Sequence, residues 1–207
     1  MWTVGPAQNA FGDESQITVG SLFKFAGGVV SAYMIHEGAH FVVAEITNTN
    51  LNWEVGNYNQ PLAFTEHAKS DSDGLAVYSA GLTAQVVASE IVLDVDKINK
   101  NDAFVRGMMA WNIVNPILYA VDYWFIHIAN DQNGTSFQGD IKGVEHYSSE
   151  RTANLFAGSM AALAAFQGYR FLKTQSWAPE WIRDKTQNLQ FANTPDGGFL
   201  LGLKITF

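Results

Sequence analysis

The residues with the clearest chemical potential are His36, Glu37 and His40, which form the pattern His-Glu-Gly-Ala-His in a 207-residue chain. In a helix, side chains four positions apart project from one face, so the two imidazoles can bind the same zinc ion. Glu37 lies beside them and can take a proton from a metal-bound water, because zinc lowers the pKa of that water. The spacing predicts a hydrolase site with one Zn²⁺ per chain and Glu37 as its general base.

The same three residues also permit a metal-free interpretation, in which protein partners satisfy a buried polar cluster. That interpretation places two imidazoles and a carboxylate within one and a half helical turns of a largely apolar stretch, residues 25–46. Burying unpaired charge costs on the order of several kcal/mol, and a metal would compensate all three groups at once. We therefore favour the metal site.

Composition limits the class of protein that can carry this site. With 47% hydrophobic residues, a chain of this length can bury one core, which predicts a single domain over residues 1–207. The net charge of −8 and the small number of Lys and Arg exclude a nucleic-acid partner. Cysteine is absent, so His, Asp, Glu or water must hold the metal.

Long segments that are nearly free of Lys and Arg must position the site. They cover residues 22–46, 75–95, 103–129 and 152–172. Each is long enough to cross a bilayer as a helix, and the ends on one side carry most of the basic residues, as a cytoplasmic side does. This pattern favours a multi-pass integral protein of a lipid membrane. A buried soluble bundle would carry the same segments, and an exported soluble or outer-membrane-associated protein is the alternative location.

Two polar stretches are typical of β-hairpins. Residues 51–55 and 61–65 would form one hairpin after the HExxH helix, with a turn at 56–59. Residues 188–194 and 199–207 flank the turn sequence Pro-Asp-Gly-Gly and would form another. The predicted fold class is therefore mainly α, a bundle of about four long apolar helices with a β-hairpin after the first helix and a C-terminal β-hairpin.

A catalytic zinc needs a third protein ligand and one position left open for water. Glu90, Asp122 and His127 are the candidates within the apolar segments. At about 1.5 Å per residue, Asp122 reaches the depth of the histidine pair on a parallel third segment, whereas Glu90 lies about 20 Å nearer the basic end. His127 faces away from Asp122. Asp122 is the predicted third ligand, and Glu90 is the alternative.

The third segment carries a polar stripe that supports this prediction. Asn112, Asn115, Tyr119 and Asp122 follow three- and four-residue steps on an otherwise apolar helix, beside Pro116. The stripe would line the site, or its side chains would form hydrogen bonds to neighbouring helices.

These motifs together resemble the site-2-protease type of intramembrane zinc metalloprotease, over about half the chain, residues 22–129. That family pairs HExxH on one transmembrane helix with an Asp on a later helix that follows an Asn-Pro motif. The matching residues here are Asn115-Pro116 and Asp122. The chain departs from the family pattern at Ala39 and Tyr123, where the family usually has glycine.

The resemblance implies a function as well as a site. It implies a peptide or membrane-protein substrate, with Asn115 contacting the substrate backbone. The residues that it implies for the metal site are His36, His40 and Asp122 as ligands and Glu37 as base.

Two other functions remain open at this point. Glu37-x-x-His40 also fits a di-metal carboxylate bundle, but that scheme needs a second Glu-x-x-His, which Glu90 and Asp122 do not supply. The chain could alternatively be a non-enzymatic membrane or envelope component with a structural His cluster. The sequence does not determine the oligomeric state.

Overall fold

The computed structural model describes residues 18–53, 62–64, 68–127, 139–184, 189–193 and 199–203. The fold is mainly helical, as predicted. The helices are α1 (Val19–Thr47), α2 (Asp71–Asp94), α3 (Ala103–Val121), α4 (Asp140–His146), α5 (Glu150–Thr174) and α6 (Glu180–Asp184). A π-helical segment, Asp122–His127, continues α3. The strands are β1 (Leu51–Trp53), β2 (Leu62–Phe64), β3 (Leu189–Asn193) and β4 (Phe199–Leu203).

The strands form two short antiparallel pairs, β1 with β2 and β3 with β4. Leu51 is opposite Phe64, and Leu189 is opposite Leu203. The predicted connecting turns at residues 56–59 and 195–198 lie outside the described residues. The two complete hairpins therefore stay predictions.

Capping residues set where the long helices begin. Thr18 accepts a hydrogen bond from the backbone N–H of Ser21, whose hydroxyl accepts one from the backbone N–H of Thr18, so α1 begins with a capping box. Ser70 and Ser149 cap α2 and α5 in a similar way, each accepting from a backbone N–H three residues later. Asn48 ends α1 in the left-handed conformation, with φ of 52°.

The buried face of α1 carries only small and polar residues. They are Gly28, Ala32, His36, Glu37, His40 and Ala44, at three- and four-residue steps. Small residues allow close packing against α3: a Cβ added at Gly28 would collide with the backbone of Phe104, and one at Gly107 with that of Phe25. Helices α1 and α3 are therefore in backbone contact near the end of the bundle where both begin.

Two apolar clusters hold the helices together. The larger one joins α2, α3, α4 and α5 through buried residues that include Tyr78, Leu82 and Ile141. The smaller one, Val92, Met109 and Phe171, lies at the other end of α2. Between these clusters the interior of the bundle is polar.

Among the described helices, α2 alone is long and apolar enough to cross a membrane by length and composition. Half of its most apolar stretch is buried inside the bundle. One such helix is weak support, because core helices of soluble proteins have the same composition. The length and composition of the described helices therefore do not support the predicted multi-pass arrangement.

Candidate metal centre

Three metal-ligating side chains meet inside the bundle. His36 and His40 come from α1, and Asp140 is the first residue of α4; all three are buried. Nε2 of His36 lies 3.2 Å from Nε2 of His40 and 3.2 Å from Oδ2 of Asp140. Nε2 of His40 lies 3.3 Å from Oδ1 of Asp140. This group could hold a metal ion.

The separations suit tetrahedral coordination. Ligand atoms about 2.0–2.1 Å from a tetrahedral zinc lie about 3.3–3.4 Å from one another. The two imidazole nitrogens, 3.2 Å apart, match one edge of such a tetrahedron within about 0.2 Å. Each of them also lies 3.2 or 3.3 Å from a different oxygen of Asp140, so the carboxylate would fill a third corner through one of its two oxygens. A zinc ion held in this way would keep a fourth position for water or substrate.

The far side of each imidazole is held by a hydrogen bond. Nδ1 of His36 lies 3.1 Å from Oε1 of Gln85, and Nδ1 of His40 lies 2.7 Å from the carbonyl oxygen of Val77. Both partners are acceptors, so each Nδ1 donates its proton there, and Nε2 is the atom of each ring that could bind a metal. Asn115 donates a second hydrogen bond to Gln85 Oε1, at 2.9 Å, and so fixes the orientation of that amide.

Asp140 supplies the negative charge of the centre. Burial alone would raise the pKa of Asp140, but the charges and hydrogen bonds of His40 and His36 outweigh it and lower that pKa below its usual range. Oδ2 of Asp140 is buried, and no described residue makes a regular hydrogen bond to it beyond its ion pair with His36. An anionic, under-coordinated oxygen beside two imidazole nitrogens is a donor set that suits zinc.

Helix α2 forms one wall of the centre at Gly81. A Cβ at this position would lie 2.6 Å from Cε1 and 2.7 Å from Nε2 of His36, and closer still to Nε2 of His40. Only glycine lets α2 approach the ligand atoms so closely. Helix α2 therefore packs directly against the two imidazoles.

Glu37 lies beside the ligands without being one of them. Its side chain is buried, and it accepts a hydrogen bond from the Tyr33 hydroxyl one turn earlier on α1. The ring of Tyr119 lies 5.7 Å from that of His36, centroid to centroid. This placement agrees with the predicted role of Glu37 as a base, which requires a carboxylate that is not bound to the metal.

The third member of the group is Asp140, and neither Asp122 nor Glu90 belongs to it. The depth estimate behind the prediction of Asp122 assumed regular helices, whereas the chain turns into a π-helical segment at Asp122. Asp122 is partly buried, and the next residue, Tyr123, is buried in the core. Glu90 is held 2.5 Å from Arg170. The distances of Asp122 and Glu90 from the histidines depend on how the helices pack, which cannot be obtained by counting residues along a segment.

Asp140 was missed because residues 139–146 look like part of a polar loop. Its sequence signal is weak: Asp140, Ile141 and Val144 follow helical steps in a short amphipathic helix. Gln85 was also missed as a residue that supports His36. Asn115 is buried and bound to Gln85, and its predicted contact with substrate stays a prediction.

Comparisons of the chain with protein-family models, curated proteins and solved structures found no match. The function is therefore inferred from the chemistry of the site itself.

Proposed function

We propose that this protein is a zinc-dependent metallopeptidase in which His36, His40 and Asp140 hold one zinc ion and Glu37 is the general base. The observation that supports it most is that three buried ligand atoms lie within 4.8 Å of one another. Two of them belong to the HExxH pattern on α1, and the third belongs to Asp140 on α4. Two neutral imidazoles and one carboxylate leave a bound Zn²⁺ with a net positive charge. Zinc in such a site activates water and polarises a carbonyl.

The residues of the chain have distinct tasks in this proposal. Gln85 and the Val77 carbonyl keep the two imidazoles in the tautomer that can bind metal. Glu37 accepts the proton of the attacking water and delivers it to the leaving amine. The hydrogen bond from Tyr33 orients the Glu37 carboxylate for this transfer. A peptide substrate is favoured because HExxH with a third ligand is the arrangement that peptidases use.

We further propose that the bundle is embedded in a lipid bilayer. Its polarity is inverted: polar side chains such as Gln85 and Asn112 are fully buried, whereas Phe23, Val42 and Ile46 on α1 are largely exposed. Exposed apolar residues continue on α2, α3 and α5. Acyl chains are the partner that suits an apolar exterior around a polar core.

The distribution of charge supports this location. Between Lys24 and Glu45, α1 has one charged side chain, the buried Glu37. Helix α2 has none between Asp73 and Glu90.

The peptidase proposal is tested with Glu37→Gln. We expect the variant to keep one zinc per chain and to cleave an unfolded reporter protein or a single-span membrane segment about 10²–10⁴-fold more slowly. Glu45→Gln is the matched control, because Glu45 is an exposed carboxylate on the same helix. Unchanged cleavage by Glu37→Gln would exclude Glu37 as the base. Absence of zinc and of zinc binding in the unaltered protein would remove the site.

The membrane proposal has its own test. Membranes from cells that express the chain are washed with carbonate at high pH, which releases peripheral proteins. We expect the protein to stay in the membrane pellet and to require detergent for extraction. Release into the supernatant would exclude bilayer embedding and leave the metal proposal untouched.

A further inference from the structure

A second set of buried polar side chains lies next to the metal centre and is not used by it. Gln85, Ser89, Asn112 and Gln167 are each 0% exposed. Every one of them has a polar atom without a hydrogen-bond partner among the described residues. These atoms are Nε2 of Gln85, Oγ of Ser89, both amide atoms of Asn112 and Oε1 of Gln167.

Helix geometry brings Ser89 and Asn112 to the same level. The hydrogen bond between Gln85 and Asn115 shows which turns of α2 and α3 face each other. The two helices run in opposite directions, since Val92 and Met109 also meet in one cluster. Ser89 follows Gln85 by four residues and Asn112 precedes Asn115 by three, so both lie one turn further from the metal centre.

Helix α5 closes the third side of this layer. Nε2 of Gln167 donates hydrogen bonds to the Val86 carbonyl oxygen at 2.9 Å and to Oε1 of Glu90 at 2.8 Å, on either side of Ser89. A Cβ on the next residue, Gly168, would lie 2.9 Å from Cγ2 of Ile113, the neighbour of Asn112. Gln167 is thus at the level of Ser89 and Asn112.

Both ends of the layer are defined. On the side of the metal centre it ends at Gln85, whose Oε1 accepts the proton of His36 Nδ1. On the other side it ends at the apolar cluster of Val92, Met109 and Phe171, which is almost fully buried. The unpartnered atoms therefore belong to one buried polar layer between three helices.

Buried polar atoms of native proteins are nearly always satisfied by protein or by ordered water. Serines in helices commonly donate a hydrogen bond to a carbonyl of the preceding turn. The Ser89 hydroxyl makes no such bond, so it needs another partner. The unpartnered set combines amide donors with carbonyl and hydroxyl oxygens. Water, which both donates and accepts, satisfies such a mixture, whereas a cation would be repelled by the N–H groups.

We propose that this layer is an internal water-binding site, in which ordered water bridges Gln85, Ser89, Asn112 and Gln167 and holds Gln85 in the orientation that fixes His36. The hydration stands independently of the proposed peptidase activity. Its consequence for metal binding rests on that proposed function.

The first experiment compares Asn112→Ala with Asn112→Leu by thermal unfolding of the full chain, purified with a metal chelator present. If the layer holds water, the alanine variant admits one more water, whereas leucine expels water and leaves Ser89 and Gln167 unsatisfied. We expect the leucine variant to lose about 3–10 °C in Tm and the alanine variant less. The opposite order is expected of a dry layer, where alanine leaves a cavity, and would overturn the proposal. Thr83→Val is the control, because Thr83 is exposed on α2.

An experimental structure that resolves water provides the second measurement, since leucine could also lower Tm by overpacking. Water bonded to Ser89 and Asn112 is the expected result. Direct hydrogen bonds among these side chains, with no water between them, would overturn the proposal whatever the Tm values are.

Zinc titration of the same variants tests the consequence for the metal centre. Loss of the water layer is expected to weaken zinc binding by Asn112→Leu about 10-fold, as changes behind a metal ligand do. Unchanged affinity would overturn the positioning of Gln85 by water and leave the hydration in place. If the unaltered protein binds no zinc, the proposed function fails, and the Tm values together with the experimental structure still test the hydration.

Discussion

Glu90 and Asp140 are both carboxylates in contact with the polar interior, but they meet opposite kinds of partner. Glu90 is more than a third exposed and pairs with Arg170, which also reaches Oδ1 of Asp94 at 2.6 Å. Asp140 is buried and faces two imidazoles. A guanidinium keeps its proton under all ordinary conditions, whereas an imidazole can exchange its proton for a metal. The partners therefore distinguish Glu90, which forms a structural ion pair, from Asp140, which belongs to a group that could hold a metal ion.

Exchanging each carboxylate for its amide tests this difference most strongly. Substituting a residue that supports a metal ligand lowers zinc affinity roughly 10–100-fold. We expect Asp140→Asn to lower zinc affinity by more than that and to lose peptidase activity as a result. Glu90→Gln is expected to keep one zinc per chain. Metal content after dialysis against a weak chelator measures both. Zinc lost from Glu90→Gln and kept by Asp140→Asn would reverse the assignment.

We expect Gly81→Ala to have the next largest effect. The added methyl would collide with both imidazoles, so the variant should lose zinc and unfold at a lower temperature. Gly38→Ala is the matched control: it lies on α1 inside the HExxH pattern, and a Cβ there meets nothing within 4 Å. That variant should keep zinc and gain about 0.5–1 kcal/mol in unfolding free energy from helix propensity. Equal zinc content in the two variants would contradict close approach of α2 to the ligands.

Asn115→Ala tests whether Asn115 supports the metal centre through Gln85 or contacts the substrate. If Asn115 acts by holding Gln85, zinc affinity should fall about 10–100-fold. If it contacts substrate, as the family resemblance implies, KM should rise while zinc affinity stays unchanged. Zinc titration and steady-state kinetics on the same preparation separate these roles, and the hydrogen bond at 2.9 Å leads us to expect the first.

Arg170→Met should have the smallest effect. The variant removes the partner of Glu90, but both side chains are partly exposed, so we expect a loss of about 1 kcal/mol or less in unfolding free energy. Zinc content should be unchanged. Chemical denaturation measures the first quantity and metal analysis the second; loss of zinc would show that the two ends of the interior are coupled.

The parts of the structure that local sequence determines were predicted well. Residues 22–46, 75–95 and 152–172 lie close to α1, α2 and α5, because apolar runs and the serine and threonine caps are local signals. The relation of His36 to His40 is equally local, since it follows from one helical turn. The mainly α class follows from the same runs.

The third member of the metal group depends on tertiary structure. Asp140 reaches the histidines because α4 packs against α2, with Gly143 against the ring of Tyr78 and Gly74 against that of Tyr147. Such contacts between glycine and an aromatic ring leave no periodic signal in either segment. Asp122 looked better placed because a depth estimate treats every helix as straight and regular.

The separation of the ligands along the chain has a consequence for how the site forms. About 100 residues lie between His40 and Asp140. At the usual pace of translation, the imidazoles leave the ribosome roughly 5–20 s before the carboxylate. A nascent chain can therefore complete this centre only after most of the bundle has been synthesised. Metal binding would then link two segments that are far apart in the chain, and its binding free energy would stabilise the correctly assembled bundle late in folding.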